Sequence, residues 1–174
     1  DGSVRMMDFF DEQRMSRLYE KFILEYYRRE HPRLHASASF IDWVLDDNFS
    51  HGLPKMRSDV TLSAGGRVLI IDAKYYTSTM QRNFDKRTVH SGNLYQIFAY
   101  VKNKQIAFER AGKSVEVSGM LLYAATDEEV QPDVTYRMSG NRISATTLDL
   151  DRPFEEIRAQ LDDIAEEYFP GNGP

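Results

Sequence analysis

The hairpin predicted for residues 54–76 constrains the fold more than any other part of the chain. Its sequence reads PKMRSDVTLSAGGRVLIIDAKYY, with apolar-rich runs on either side of Gly65-Gly66. A Gly-Gly pair between two strand-like runs is typical of a two-residue turn, because both central residues need φ > 0. This turn sets a register in which Thr61 faces Ile70 and Asp59 faces Asp72. The sequence therefore predicts two carboxylates side by side near the end of the hairpin.

Facing carboxylates repel each other, and a divalent cation between them is the obvious remedy. Lys74 lies two residues beyond Asp72, so its side chain projects from the same face. The same register places Arg57 opposite Lys74, which would add a second cation. The alternative is a plain salt bridge between Lys74 and one aspartate. That alternative explains one carboxylate but not two, and buried unpaired charge is costly, so we favour a cation site.

The remaining sequence predicts a mixed α/β domain, with a central mixed β-sheet flanked by helices. Residues 68–71 are apolar on both faces, as in a strand covered on both sides. Apolar periodicity and turn residues predict the other elements. Helices are expected at 8–30, 91–110 and 153–169, and strands at 34–40, 41–45, 113–126, 134–138 and 143–150. We expect one domain over residues 8–170, with disorder at residues 1–7 and in a tail at 171–174.

Four stretches of the chain carry a resemblance to a known nuclease superfamily. They are LYEKF, PKMRSDVTL, LIIDAKYY and HSGNLYQIFAYV, in this order between residues 18 and 101. An Asp at the end of one strand followed by D-x-K at the end of the next resembles the PD-(D/E)xK nucleases. The order of the four stretches is most similar to the McrC nuclease domain of McrBC-type restriction systems. The implied fold is the restriction-endonuclease-like core.

The resemblance also implies site residues and a cofactor. It implies that Asp59, Asp72 and the backbone carbonyl of Ala73 bind Mg²⁺, for which Mn²⁺ would substitute, and that Lys74 assists the attacking water. In many of these nucleases a Glu on the first helix reaches the metal, and here that residue is Glu20. From the residues alone, Glu20 is an ordinary solvated helix carboxylate. Gln96 and Tyr100 form a Q-x-x-x-Y pattern, which resembles the active-site edge of RecB-like nucleases; by spacing alone they share a helix edge.

Charge is unevenly distributed along the chain. The net charge is −5, which argues against binding nucleic acid by bulk charge. Residues 149–167 are rich in acids, whereas the charged residues within 82–104 are mostly basic. A polar loop over 77–89 is either a DNA contact or plain surface, and the two readings are equally supported. The candidate DNA-binding residues are Arg57, Arg82, Lys86, Arg87, His90 and Tyr100.

The resemblance, together with the predicted cation site, implies a Mg²⁺-dependent DNA endonuclease that is the cleavage subunit of a modification-dependent restriction system and acts with a McrB-like GTPase motor. One alternative is a catalytically silent subunit that only docks onto the motor, as the acidic balance allows. A second alternative is a RecB-like exonuclease acting on DNA ends. No apolar run approaches the length of a membrane span, no secretory signal is visible and there is no cysteine, so we expect a cytoplasmic protein.

Overall fold

The central hairpin forms in the predicted register. The computed structural model describes residues 2–76, 89–127 and 131–171. Strands β3 (Val60–Ala64) and β4 (Arg67–Lys74) are antiparallel, and Thr61 pairs with Ile70. Gly65 and Gly66 make the turn with φ of 54° and 76°, in the left-handed region that favours glycine. The ladder ends at Val60 and Ile71, so Asp59 and Asp72 lie immediately beyond its last pair.

A mixed five-stranded sheet forms the centre of the fold, as predicted. Its strand order is β3-β4-β5-β7-β6, where β5 is Glu116–Ala124, β6 is Val134–Met138 and β7 is Asn141–Leu148. The pairs β4–β5 and β5–β7 are parallel, and the two outer pairs are antiparallel. The central strand β5 is almost wholly buried, which agrees with its two-sided apolar sequence.

Helices cover both faces of this sheet. α1 (Gly2–Glu30) and α3 (Phe154–Tyr168) pack on one face, and α2 (Ser91–Arg110) packs on the other. Alternate residues of β4 divide between the two cores, with Leu69 and Ile71 facing α1 and α3 while Val68 and Ile70 face α2. This alternation follows from the two-residue period of a strand. The result is the restriction-endonuclease-like α/β arrangement.

The first helix differs in detail from its prediction. It begins at Gly2 rather than at residue 8. Tyr19, Ile23 and Tyr27 of the predicted apolar stripe are buried, but Leu18 remains 57% exposed. The Tyr19 hydroxyl donates to the carbonyl of Leu122, 3.1 Å away near the end of β5. The middle of α1 therefore crosses the carboxyl ends of the central strands.

Two predictions for residues 34–57 are wrong. The predicted strands at 34–40 and 41–45 are replaced by a 3₁₀ turn at Pro32–Leu34 and a two-residue strand β1 (Phe40–Ile41). β1 pairs with β2 (Met56–Arg57) in a separate sheet, where Arg57 lies opposite Phe40. Arg57 consequently does not face Lys74, because the chain bends at residues 58–59 on passing from β2 into β3.

One glycine marks the closest approach between α2 and the sheet. A β-carbon on Gly119 of β5 would lie 2.6 Å from a methyl group of Val101 and 2.8 Å from Ile97. Such distances are shorter than van der Waals contact, so a larger side chain would displace α2. The hydrogen at Gly119 therefore lets α2, with Gln96 and Tyr100, lie close against the sheet.

Candidate active site

The bend after β2 brings Asp59 against the end of β4. Ser58 is buried, and its hydroxyl lies 2.7 Å from that of Thr61, which fixes the bend. Asp59 then accepts a hydrogen bond from the backbone N–H of Ala73, at 2.8 Å from Oδ2. The carboxyl group of Asp72 lies close enough to Asp59 to raise its pKa. The predicted carboxylate pair is therefore present, although it is positioned by a bend rather than by a regular ladder.

The environment of Asp59 disfavours two negative charges. Burial, then the hydrogen bond to Asp72 and its negative charge, and then Glu20, raise the pKa of Asp59 to about 8. The hydrogen bond from the Ala73 N–H acts in the opposite direction but is outweighed. Without a further positive charge, the pair therefore holds a proton at neutral pH.

Lys74 is held between an aspartate and an amide. Its Nζ lies 3.1 Å from Asp72 Oδ2 and donates to Gln96 Oε1 at 3.0 Å. The Gln96 amide nitrogen in turn donates to the Tyr100 hydroxyl at 2.9 Å. Burial acts to lower the pKa of Lys74, but the charge of Asp72 and their hydrogen bond outweigh it and raise the pKa. The ammonium is thus charged and oriented by a chain of contacts from α2.

Glu20 of α1 lies within electrostatic reach of this group from the other side of the sheet end. Partial burial and the charge of Asp72 raise its pKa, while Lys74 and Arg17 act to lower it. The structure therefore brings Glu20 into the same electrostatic environment as Asp72 and Lys74. Glu20 is partly exposed, so it faces the open side of the site.

The donor atoms suit a hard divalent cation that keeps other ligands. Across residues 2–76, 89–127 and 131–171, no three His, Cys, Asp or Glu side chains converge into a cation cage. Mg²⁺ often needs only one or two carboxylates, and takes its other oxygens from waters and substrate phosphates. Asp72 Oδ2 is buried, and the close contact found for it among the described residues is the ion pair with Lys74 at 3.1 Å. A buried carboxylate oxygen of this kind, beside a second carboxylate, fits such a cation.

The structure describes only some of the predicted DNA-binding residues, and these differ in how exposed they are. Arg82, Lys86 and Arg87 lie outside the described residues. Arg57 is exposed on β2, two residues before Asp59. His90 occupies the N-cap position of α2. Tyr100 is 8% exposed, and in this arrangement it supports Gln96 from behind.

A buried polar layer next to the site was missed from the sequence. The Asn93 side-chain amide donates to the Tyr123 hydroxyl at 2.9 Å and to the Tyr76 hydroxyl at 3.0 Å. Burial raises the pKa of Tyr123 to about 12, with the Asn93 hydrogen bond opposing this and the charges of Tyr76 and Asp72 adding to it. A usable signal was the spacing of Asn93 from Gln96 and Tyr100, which places all three on one side of α2.

Comparison with known proteins identifies the family. The family described as "McrBC 5-methylcytosine restriction system component" matches residues 13–124, which include Asp59, Asp72, Lys74 and Gln96. The chain belongs to this family. Among curated proteins, the Escherichia coli K12 "Type IV methyl-directed restriction enzyme EcoKMcrBC" is 32% identical over 172 residues. That match covers 97% of this chain and 47% of the E. coli protein, so the chain spans about half of this McrBC relative.

A solved McrBC assembly shares the fold. The structure of Thermococcus gammatolerans McrB AAA+ hexamers with bound McrC superposes with a TM-score of 0.54 at 19% identity. The superposition covers 86% of this chain and 33% of that one. Among the described residues of the present McrBC family member, no helix has the length and apolar character needed to cross a bilayer.

Proposed function

We propose that this chain is the DNA-cleaving part of a McrBC-type restriction enzyme and hydrolyses phosphodiester bonds with Mg²⁺. The observation that carries this proposal is the meeting of Asp59, Asp72 and Lys74 at the carboxyl end of β4. Two adjacent carboxylates that force one another to hold a proton are costly in a merely structural position. The same pair is useful where a cation must be held against a phosphate. The pair and Lys74 therefore support the proposal of an endonuclease of the PD-(D/E)xK type.

Each residue of the site has a chemical role in this proposal. Asp59 and Asp72, with the Ala73 carbonyl, would hold the Mg²⁺, which when bound supplies Lewis-acid assistance to phosphate hydrolysis. Lys74 presents a charged ammonium where negative charge develops on the phosphate oxygens, and such oriented charge is usually the largest catalytic contribution. Gln96 and Tyr100 are positioning residues that fix the direction of Lys74. Glu20 adds negative charge at the open side and strengthens attraction for the cation.

The partner and substrate follow from the relatives. The T. gammatolerans McrC is bound to McrB AAA+ hexamers, and the E. coli enzyme is methyl-directed. We propose that a McrB-like GTPase motor delivers methylated DNA to this chain.

The proposed function is tested by DNA cleavage in the reconstituted complex. The full-length protein and its motor subunit, with GTP and Mg²⁺, are incubated with circular plasmid containing 5-methylcytosine. We expect the parent to linearise the circle and Asp72→Asn to lower the rate by at least about 10²-fold, because the cation loses a ligand. Asp163→Asn, an exposed acid on α3, is the matched control and should cleave normally.

The other outcomes separate the alternatives. Equal cleavage by Asp72→Asn and the parent would refute the nuclease site. Digestion of linear DNA without any cutting of the circle would instead indicate an exonuclease. A parent that assembles with the motor but cleaves neither form would indicate a silent docking subunit.

A further inference from the structure

The segment between α1 and β3 presents an exposed aromatic ring with two cations against it. Phe40 is 60% exposed. The Lys55 ammonium lies 6.0 Å from the centroid of the ring, and the Arg57 guanidinium carbon lies 5.4 Å from it. We call Phe40, Lys55 and Arg57 the ribbon patch. Neither the family description nor the relatives assign a role to it.

The strand geometry of β1 and β2 creates this patch. Ile41 and Met56 point inward and are buried in the core under α2. Because neighbouring residues of a strand point to opposite sides, Phe40 and Arg57 point outward. Lys55, two residues before Arg57, projects from the same side. An exposed aromatic residue is thus dictated by the pairing of the two strands, not left over from an incomplete core.

The patch is held rigidly by backbone contacts. The indole N–H of Trp43 donates to the Pro54 carbonyl at 2.7 Å, and the Val44 N–H donates to Asn103 Oδ1 at 2.8 Å on α2. The Ser58 N–H donates to the Ser39 carbonyl at 2.9 Å. The first and third contacts join the β1 and β2 segments to each other, and the second joins them to α2. A ligand would therefore meet a preorganised surface and lose little affinity to ordering it.

The cations of the patch are unneutralised on an acidic protein. Within the described residues, neither Lys55 nor Arg57 forms an ion pair, either with Asp59, the nearest acid in sequence, or with Asp42, two residues beyond Phe40. The whole chain nevertheless carries a net charge of −5. Two free cations in this setting fit an anionic partner. The exposed ring between them fits a partner that also has flat apolar groups.

The patch adjoins the candidate active site directly. Arg57 lies two residues before Asp59, so their Cα atoms are at most about 7 Å apart. Phosphates along a DNA strand advance by about 3.4 Å per nucleotide. Arg57 and Lys55 are therefore within reach, in a few nucleotides, of a strand whose phosphate lies at Asp59 and Asp72 and which runs towards β2.

We propose that the ribbon patch binds the DNA strand next to the phosphate that is cleaved. Lys55 and Arg57 bind backbone phosphates, and Phe40 stacks against an exposed base between them. Base stacking on an aromatic side chain combined with cations along the backbone is a general mode of single-strand binding. This inference rests on the proposed nuclease function and adds where, and by which chemistry, the strand is held.

The test measures DNA binding without cleavage. Every protein carries Asp72→Asn, and the probes are a fluorescent single strand of about 25 nucleotides and the matching duplex, titrated over a range of salt. Phe40→Ala should weaken single-strand binding by about five- to hundredfold and duplex binding by less. Lys55→Ala and Arg57→Ala should each lower the slope of log K against log salt by roughly one, on both probes.

Matched variants control for unspecific effects. Phe49→Ala removes another exposed phenylalanine, and Lys113→Ala another exposed lysine; neither should change affinity or slope. Unchanged affinity in all three patch variants, or no binding of either probe by the Asp72→Asn protein, would overturn the proposal. Unchanged DNA affinity with weakened assembly on the motor would mark the patch as a protein contact. None of these outcomes involves cleavage, so they are distinct from failure of the nuclease proposal.

Discussion

Lys74→Met is expected to lower the rate of DNA cleavage by about 10²- to 10³-fold. Methionine retains most of the length and apolar bulk of the side chain but has no charge. The ammonium lies 3.1 Å from Asp72 Oδ2 and is oriented by Gln96, so the substitution removes a charge that is held in a fixed position at the site. Losing one oriented charge that stabilises a developing oxyanion costs about this factor. The measurement is linearisation of methylated plasmid by the reconstituted complex under single-turnover conditions.

The interpretation of Lys74→Met needs two further variants. Lys113→Met removes a charge from an exposed position and should cleave at the parent rate. Lys74→Arg keeps the charge but changes the shape of its hydrogen-bond donors, and we expect an intermediate rate. Full activity of Lys74→Met, in protein with a normal thermal transition, would exclude Lys74 from the chemistry.

Asp59→Asn is expected to stabilise the metal-free protein at alkaline pH. In the folded parent, burial and Asp72 raise the pKa of Asp59 to about 8, against about 3.9 for an unfolded chain. At pH values between these two pKa values, Asp59 keeps its proton in the folded state and has lost it in the unfolded state. The free energy of unfolding therefore falls as pH rises from about 4 to about 8. Asparagine does not titrate, so the free energy of unfolding of the variant does not fall in this way as the pH rises.

We expect Asp59→Asn to melt about 2–12 °C above the parent at pH 8 in EDTA. This shift in melting temperature corresponds to a difference of about 1–3 kcal/mol in the free energy of unfolding for a domain of this size. The difference in melting temperature between the variant and the parent should become smaller as the pH is lowered towards 4. Adding Mg²⁺ or Mn²⁺ should stabilise the parent but not the variant, because ligand binding to the folded state alone raises its stability. A variant less stable than the parent at pH 8, or equally stabilised by the cation, would contradict this account of Asp59.

The central hairpin could be predicted because its determinants are local. Gly65 and Gly66 fix the turn through their backbone freedom, and the turn alone sets the register down to Val60 and Ile71. That register brings Asp59 and Asp72 to the end of the ladder, where the bend at residues 58–59 places Asp59 against the end of β4. Lys74 follows in turn from the two-residue period of β4.

The course of residues 34–57 could not be predicted, because it depends on distant contacts. The register argument placed Arg57 opposite Lys74, but the buried Ser58 bends the chain and Arg57 pairs with Phe40 instead. The alternation after Leu34 was interpreted as a strand. In the structure only Ser37 bridges to the sheet, at Thr61. No local sequence pattern relates Phe40 to Lys55 and Arg57. The ribbon patch therefore could not be predicted from the sequence and was found only in the structure.

The measurement that tests the central claim most directly is Mn²⁺ binding by calorimetry, comparing the parent with Asp72→Asn. It requires neither the motor subunit nor a cleavable substrate, and a short duplex can be added to supply phosphate oxygens to the cation. We predict that the parent binds Mn²⁺, that affinity rises with pH as the carboxylate pair loses its proton, and that Asp72→Asn loses binding while Asp163→Asn retains it. Absence of Mn²⁺ binding by the parent with duplex present, or undiminished binding by Asp72→Asn, would contradict the assignment of Asp59 and Asp72 as the cation site.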